Sequence, residues 1–162
     1  GIKTVNVIRR PERAEHLEAL GANVIVLDGP DLARRVREAT HGADISLALD
    51  ATGGAATDRM ASCLSKNGLV ISYGAVSREA AHLSVLQSVF RGIRLRGFWL
   101  YPWKRKNMER TRSWIRELAD EFDASRLITE IAGEFSLDEW EQALVMAGSS
   151  ERNGRVVFCP CR

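Results

Sequence analysis

The chain has little cysteine, no long apolar run and almost no excess charge. Its three cysteines, at positions 63, 159 and 161, do not make a disulfide framework and suit a reducing compartment. No apolar stretch approaches the roughly 18 residues that a membrane-spanning helix needs, so we expect no membrane partner. The net charge of +2, from 23 basic and 21 acidic residues, is too balanced to indicate binding to nucleic acid.

Candidate metal ligands are equally sparse. Cys159-Pro160-Cys161 would form half of a metal site, and no second cysteine–histidine pair accompanies it. His16, His41 and His82 fall in polar or helix-boundary sequence, without an evident carboxylate or nucleophile beside them. We therefore interpret the histidines as solvated and expect no metal.

What the sequence does contain is a regular alternation of short apolar strands and helical segments. With 162 residues and 45% hydrophobic content, it is most simply one domain. The predicted strands are residues 5–8, 23–27, 45–49, 69–72, 93–99 and 155–158. Helix-length connections predict parallel pairing, and continuous apolar strands predict a sheet covered on both faces. The fold class is α/β, a doubly wound parallel sheet (Rossmann-like).

Helix boundaries can be placed from proline and capping residues. Pro11 suits a first helical turn, and Asp31 is predicted to cap a helix that places Leu32, Val36 and Ala39 on one face. A longer helix is predicted to start near Asn107. Residues 136–139 (Ser-Leu-Asp-Glu) form a predicted capping box before the last helix.

Two arginines follow the first predicted strand. In a dinucleotide-binding unit, the end of the second strand faces the adenosine ribose, where a carboxylate selects NAD and an arginine accommodates the 2′-phosphate of NADP. Arg9 and Arg10 at that position favour NADP. The alternative is an ordinary solvated strand end.

Two glycine-containing turns also follow strands. These are Ala51-Thr52-Gly53-Gly54 and Tyr73-Gly74-Ala75. In open parallel sheets ligands bind beyond the carboxyl ends of the strands, and glycine there permits close backbone approach or a tight turn. Each turn alone is compatible with simple chain reversal, but together they lie on one predicted rim.

The phosphate-binding fingerprint of a dinucleotide fold is absent. Gly53-Gly54 does not match G-x-G-x-x-G, and such a loop lies about 20 residues before the ribose-reading position. We expect the loop and the first, central strand to lie upstream of position 1, in a longer protein. The two strands beside the gap would close on one another, pair with another chain, or leave a marginally stable fragment.

Several segments resemble the mitochondrial trans-2-enoyl-CoA reductases (2-enoyl thioester reductases) of the medium-chain dehydrogenase/reductase superfamily. They are residues 1–11, Leu20-Gly21-Ala22, residues 70–75, and residues 95–100 followed by Trp103-Lys104. Residues 95–100 and Trp103-Lys104 are the part specific to this family, because the glycine turns are common to the whole superfamily. The resemblance covers essentially the whole chain, and quinone oxidoreductases are the nearest alternative.

The resemblance implies NADPH-dependent reduction of a trans-2-enoyl thioester of CoA or acyl carrier protein in mitochondrial fatty-acid synthesis. Hydride would go to the β-carbon and a proton to the α-carbon. Arg9 and Arg10 would hold the 2′-phosphate. The other implied cofactor residues are Tyr73, Gly74, Ala75 and Val76 along the cofactor, Phe98, Trp99 and Leu100 at the nicotinamide end, and Arg155 as a basic contact. Ordinary edge-strand packing is the alternative for Phe98 and Trp99.

The resemblance also implies what this chain lacks. Residues 1–162 would be a partial NADP-binding Rossmann-like domain, and the family's proton-donating tyrosine belongs to an N-terminal barrel domain without a counterpart here. No catalytic residue is assigned: Tyr73 lies at a strand end, and Tyr101 is predicted on a loop. The isolated chain should therefore be inactive.

The resemblance also implies an assembly and a location for the protein. Family dimers join their sheets through the edge strand, predicted here at residues 93–99, so we expect a homodimer. Location would be the mitochondrial matrix, or the cytoplasm if the source is bacterial. A non-catalytic nucleotide-binding or dimerisation module remains the alternative to an enzyme.

Overall fold

The computed structural model describes residues 2–149 and 151–160, which fall into two compact units. The first unit is Gly1–Trp103 and the second is Lys104–Arg162. Gly1, Ser150, Cys161 and Arg162 lie outside the described residues, and with them part of the Cys159-Pro160-Cys161 motif. The interpretation of the whole chain as one partial cofactor domain stays a prediction.

Strands and helices alternate through the first unit. Its elements are β1 (Val5–Ile8), α1 (Ala14–Ala19), β2 (Val24–Leu27), α2 (Leu32–Ala39), β3 (Leu47–Asp50), α3 (Ala55–Cys63), β4 (Leu69–Ser72), β5 (Arg94–Gly97) and the start of α4 (Leu100–Lys106). A 3-10 turn (Pro11–Arg13) precedes α1, and a π-helical turn (Leu86–Phe90) precedes β5. Strand β1 pairs in parallel with β2, and β3, β4 and β5 form a parallel sheet in that order.

The two sheets of this unit are separate. Within the described chain, β1 pairs only with β2, and β3 only with β4, so the strands beside the expected gap do not close on one another. Leu47 and Leu49 of β3 are 50% and 61% exposed. The expectation of a sheet covered on both faces is therefore wrong at this strand.

Two apolar clusters nevertheless join the sheets into one unit. The first cluster consists of Ala61, Leu64, Val70 and Ile93, and the second of Val26, Leu32 and Val36. Ile45 packs against both clusters. The first unit therefore holds together through helices and a shared core, although no hydrogen-bond ladder joins its sheets.

The second unit contains α5 (Met108–Asp123), β6 (Ile131–Phe135), α6 (Trp140–Gly148) and β7 (Arg155–Phe158). Strands β6 and β7 pair in parallel, with a register shift between Ile131 and Gly133. The predicted capping box is confirmed, because the Ser136 backbone N–H and hydroxyl donate to the Glu139 carboxylate at 2.8 and 2.9 Å.

Several local predictions are wrong. The Asp31 side chain makes no cap hydrogen bond, and instead its carboxylate pairs with Arg34 at 3.4 Å. Ala39 is exposed, although Leu32 and Val36 are buried as predicted. Tyr101 lies in helix α4 rather than on a loop.

Across residues 2–149 and 151–160, no helix is long and apolar enough to cross a bilayer.

Candidate functional site

The carboxyl ends of β3, β4 and β5 form one rim. Asp50, Ser72 and Gly97 are in register at the last position of each strand. The Tyr73 N–H donates to the Asp50 carbonyl at 2.9 Å, and the Phe98 N–H donates to the Ser72 carbonyl at 2.8 Å. Residues 51–54, 73–76 and 98–100 therefore leave the sheet side by side, which brings seven of the ten predicted site residues together.

A buried carboxylate organises the first of these turns. Asp50 is fully buried, and its Oδ1 accepts hydrogen bonds from the backbone N–H groups of Thr52 (2.8 Å) and Gly53 (3.0 Å). Its Oδ2 accepts the Thr57 hydroxyl at 2.7 Å, which ties the turn to α3. Sequence reasoning missed this residue; the signal is an aspartate that ends an apolar strand just before Thr52-Gly53.

The paired glycines of this turn make room for a neighbouring segment. Gly53 and Gly54 have φ angles of 78° and 60°, a region that L side chains rarely adopt. A Cβ at Gly54 would collide with the Glu79 side chain, and one at Gly53 would crowd the Glu79 carbonyl and the Ser77 hydroxyl. At this turn the structure therefore favours a tight chain reversal over close approach to a nucleotide.

Gly74 makes a different kind of close approach. A Cβ there would lie 2.8 Å from the Ala51 carbonyl oxygen. The Val76 N–H donates to the Ala51 carbonyl at 3.1 Å and also holds these two loops together. Tyr73 and Val76 project exposed side chains from this loop. Only glycine allows the two strand-end loops to lie this close.

An aromatic group occupies the β5 end of the rim. Trp99 is 74% exposed, and its ring centroid lies 6.4 Å from that of Tyr101. Phe98 lies 6.2 Å from Trp103, ring centroid to centroid, and Leu100 is also exposed. The exposure of Trp99 argues against edge-strand packing as the reason for this tryptophan.

The two predicted arginines follow β1, whose end lies beside that of β2. Ile8 pairs with Leu27, and the Asp28 N–H donates to the Ile8 carbonyl at 2.7 Å. Arg9 is exposed and Arg10 is half-buried. The Arg10 Nε lies 3.7 Å from the Glu12 carboxylate, a long and weak ion pair.

A bidentate ion pair at the end of β2 was not predicted. Arg59 of α3 donates through Nε and Nη2 to the Asp28 carboxylate at 2.8 and 2.6 Å, and the Gly29 N–H adds a bond of 2.8 Å. The hydrogen bond from Arg59 lowers the pKa of Asp28 below its usual value, although burial opposes this. The pair therefore ties the carboxyl end of β2 to α3, the helix that follows β3.

Arg155 lies in the second unit. It is the first residue of β7, it is exposed, and its backbone N–H donates to the Glu130 carbonyl at 2.7 Å. Seven of the nine predicted site residues in the first unit lie together at the rim, whereas the proposed cofactor role of Arg155 stays a prediction.

Parallel strands with helical crossovers, and loops converging at their carboxyl ends, define a Rossmann-like α/β protein of the nucleotide-binding type. The chain belongs to the zinc-binding dehydrogenase family, which matches residues 1–118. In the part of the chain that the structure describes, no group of three or more histidine, cysteine or acidic side chains is arranged to hold a metal ion.

Sequence comparison confirms the resemblance to the enoyl thioester reductases. The chain is 28% identical over 166 residues to the mitochondrial enoyl-[acyl-carrier-protein] reductase of Dictyostelium discoideum, covering 98% of this chain and 47% of that protein. It is 27% identical over 152 residues to the Homo sapiens enzyme of the same name, covering 89% of this chain and 40% of that enzyme. The chain spans about half the length of these relatives, or less.

Solved structures confirm the predicted fold class. A protein assigned as an NADPH:quinone reductase from Mesorhizobium loti matches with a TM-score of 0.81 and 26% identity, over 99% of this chain and 46% of that chain. A heterodimeric mitochondrial 2-enoyl thioester reductase from Candida tropicalis matches with a TM-score of 0.80 and 21% identity, over 90% and 45%. An enzyme solved with NADP and crotonyl-CoA matches with a TM-score of 0.78 and 21% identity, over 89% and 44%.

Proposed function

We propose that this chain supplies the NADPH-binding part of a 2-enoyl thioester reductase. The observation that carries the proposal is the row of glycine and aromatic loops at the carboxyl ends of β3, β4 and β5, together with Arg9 and Arg10 directly after β1. The bound cofactor would supply hydride to the β-carbon of a trans-2-enoyl thioester. The similarity to enoyl-[acyl-carrier-protein] reductases supports this substrate class.

The two arginines would recognise the 2′-phosphate of NADPH. A guanidinium–phosphate contact is charge-assisted and can be bidentate, so it is stronger than the 3.7 Å contact between Arg10 and Glu12. An exposed ion pair of that kind contributes at most about 1 kcal/mol. The phosphate can therefore replace Glu12 as the partner of Arg10.

The rim loops would hold the rest of the cofactor. Tyr73, Gly74, Ala75 and Val76 would pass along it, because the Gly74 contact with Ala51 flattens this loop against its neighbour. Phe98, Trp99 and Leu100 would line the nicotinamide end with apolar surface and exclude water there. A basic cofactor contact by Arg155 is also implied by the resemblance, and it stays a prediction.

Assembly and location follow from the same proposal. Strand β5 pairs on one side only within the described chain, so its other edge is available to a second copy in a homodimer. Arg94 and Arg96 on that strand would limit unspecific pairing.

The relatives carry the word mitochondrial in their names, which supports a location in the mitochondrial matrix, with the bacterial cytoplasm as the alternative.

Cofactor selectivity tests the proposal. In the complete natural polypeptide, the dissociation constants for NADPH and NADH are measured with wild type and with Arg9→Ala/Arg10→Ala. Loss of two charged hydrogen bonds should weaken NADPH binding by about 100-fold and leave NADH binding within about twofold. The matched control is Arg34→Ala/Arg37→Ala, which removes two exposed arginines from α2. Equal binding of both cofactors by wild type would contradict the proposal.

A quinone reductase is the second candidate, because the match to the Mesorhizobium loti structure covers 99% of this chain. Steady-state rates with crotonyl-CoA and with a benzoquinone, each with NADPH, separate the two enzymes. Faster turnover of the quinone would assign the chain to the second class. NADPH binding with turnover of neither substrate would indicate the non-catalytic module.

A further inference from the structure

The Asp28 carboxylate lies one strand away from the proposed phosphate-binding arginines. Its backbone N–H is bonded at 2.7 Å to the carbonyl of Ile8, the residue just before Arg9. Adjacent strands are about 4.8 Å apart, so the first residues beyond β1 and β2 are immediate neighbours. An acidic residue therefore follows the strand next to the one that leads to the proposed phosphate site.

An unpaired carboxylate in this position would oppose phosphate binding in two ways. It would repel the negative charge of the 2′-phosphate, and it would compete with the phosphate for the guanidinium groups of Arg9 and Arg10. The Asp28 side chain is only 15% exposed, so solvent screens its charge weakly.

The structure provides a partner for this carboxylate on another element. Arg59 bonds it in bidentate fashion at 2.8 and 2.6 Å, from a position 31 residues further along the chain. Arg35 also lowers the pKa of Asp28, but its Nη2 donates to the Leu27 carbonyl at 2.9 Å, so it acts on Asp28 only through its field. Arg59 is therefore the residue that both neutralises Asp28 and fixes its orientation.

We propose that Arg59 is a positioning residue for cofactor selectivity: by holding the Asp28 carboxylate, it keeps Arg9 and Arg10 available to the 2′-phosphate. The inference rests on the proposed function, since it concerns the same phosphate site. The proposal gives helix α3 a role in choosing between NADPH and NADH, although Arg9 and Arg10 lie on a different element.

The test uses two probes that differ only at the 2′ position, adenosine 2′,5′-bisphosphate and adenosine 5′-monophosphate. Their dissociation constants are measured by calorimetry with the complete natural polypeptide. Arg59→Gln should lower the preference for the bisphosphate by about tenfold, because the freed carboxylate repels and competes. Asp28→Asn/Arg59→Gln should restore the preference to within about twofold of wild type. Arg34→Gln, which removes an exposed arginine from α2, should leave the preference unchanged.

The outcomes separate this inference from the proposed function. An unchanged preference in Arg59→Gln, or an equal loss in the single and double variants, overturns the role of Arg59 while leaving NADPH binding intact. If wild type shows no preference for the bisphosphate, the phosphate site itself is overturned and the inference with it. Should Arg59→Gln fail to fold, Asp28→Asn alone decides: a preference equal to or above that of wild type supports the proposal, and a lower one overturns it.

Discussion

At Gly74, an added Cβ would collide with the backbone of the neighbouring rim loop. Replacing this glycine with alanine would place a Cβ 2.8 Å from the Ala51 carbonyl oxygen, a backbone atom that cannot rotate away. The loop must shift and lose the hydrogen bond from the Val76 N–H to Ala51. We expect Gly74→Ala to lower the free energy of unfolding by about 1–3 kcal/mol and to weaken NADPH binding by about tenfold.

A neighbouring glycine provides the control for this prediction. A Cβ at Gly97 meets nothing within 4 Å, although Gly97 lies on the same rim at the end of β5. Gly97→Ala should therefore leave stability and NADPH binding nearly unchanged. Urea unfolding and fluorescence titration measure both quantities, and equal effects of the two substitutions would show that the contact with Ala51 is not the cause.

The thiol of Cys63 should react slowly with alkylating reagents. This half-buried thiol packs against the cluster around Val26, and burial raises its pKa to about 11. At pH 8 its thiolate fraction, and so its alkylation rate, should be roughly 100-fold below that of a thiol with a pKa of 9. The rate should rise about tenfold per pH unit until about pH 11. Because unfolding lowers the pKa towards 9, stability should fall as the pH rises from 9 to 11.

Iodoacetamide labelling followed by mass spectrometry of the Cys63 peptide measures this rate. Cys159 in the same molecule is the internal reference, and urea-unfolded protein gives the rate of the freed Cys63 thiol. A Cys63 rate at pH 8 equal to that in the unfolded protein would contradict the burial of this thiol.

Among the strands and helices, β6 and α4 were not predicted from the sequence. Strand β6 contains Gly133, which has low strand propensity, yet a Cβ there would lie 2.8 Å from the Met146 sulfur, so the glycine serves close packing with α6. Helix α4 contains Pro102, which indicates a loop in the sequence but occupies the first helical turn, where no N–H is needed. Strands β1, β4 and β7 were predictable because they are short and rich in valine and other apolar residues.

The Asp28–Arg59 pair links β2 to α3, and its contribution should depend on pH. The pKa of Asp28 is lowered mainly by the hydrogen bond from Arg59, so the folded state binds this proton more weakly than the unfolded state does. The stabilisation is therefore complete above about pH 4 and is lost as the pH falls through the folded-state pKa. We expect Asp28→Asn to destabilise the protein by about 1.5–3 kcal/mol at pH 6 and by less at pH 3.

Urea unfolding at pH 6 and pH 3 measures this difference. Asp31→Asn is the matched control, because Asp31 pairs with Arg34 at an exposed position of α2 and contributes little. A destabilisation by Asp28→Asn that is the same at both pH values would mean that the negative charge of Asp28 is not what links the elements.

At the scale of the whole molecule, topology made most of the candidate site predictable. The carboxyl ends of parallel strands must meet on one edge, so residues 73–76 and 98–100 could be placed together from their positions after strands. The ion pair between Asp28, after β2, and Arg59 could not be predicted, because the two residues are 31 positions apart in the sequence. Charge pairing across such separations is set by packing, for which a single sequence carries no periodic signal.

We expect residues 1–162 alone to lack reductase activity. Reduction of an enoyl thioester needs cofactor binding, substrate positioning and delivery of a proton to the α-carbon, and this chain spans about half the length of the relatives it matches. The polypeptide of residues 1–162 alone should therefore show no measurable oxidation of NADPH with crotonyl-CoA, followed at 340 nm, whereas the complete natural polypeptide should show it. If residues 1–162 are active, Tyr73→Phe and Tyr101→Phe identify the proton donor, and activity that either substitution abolishes would place the catalytic acid on this chain.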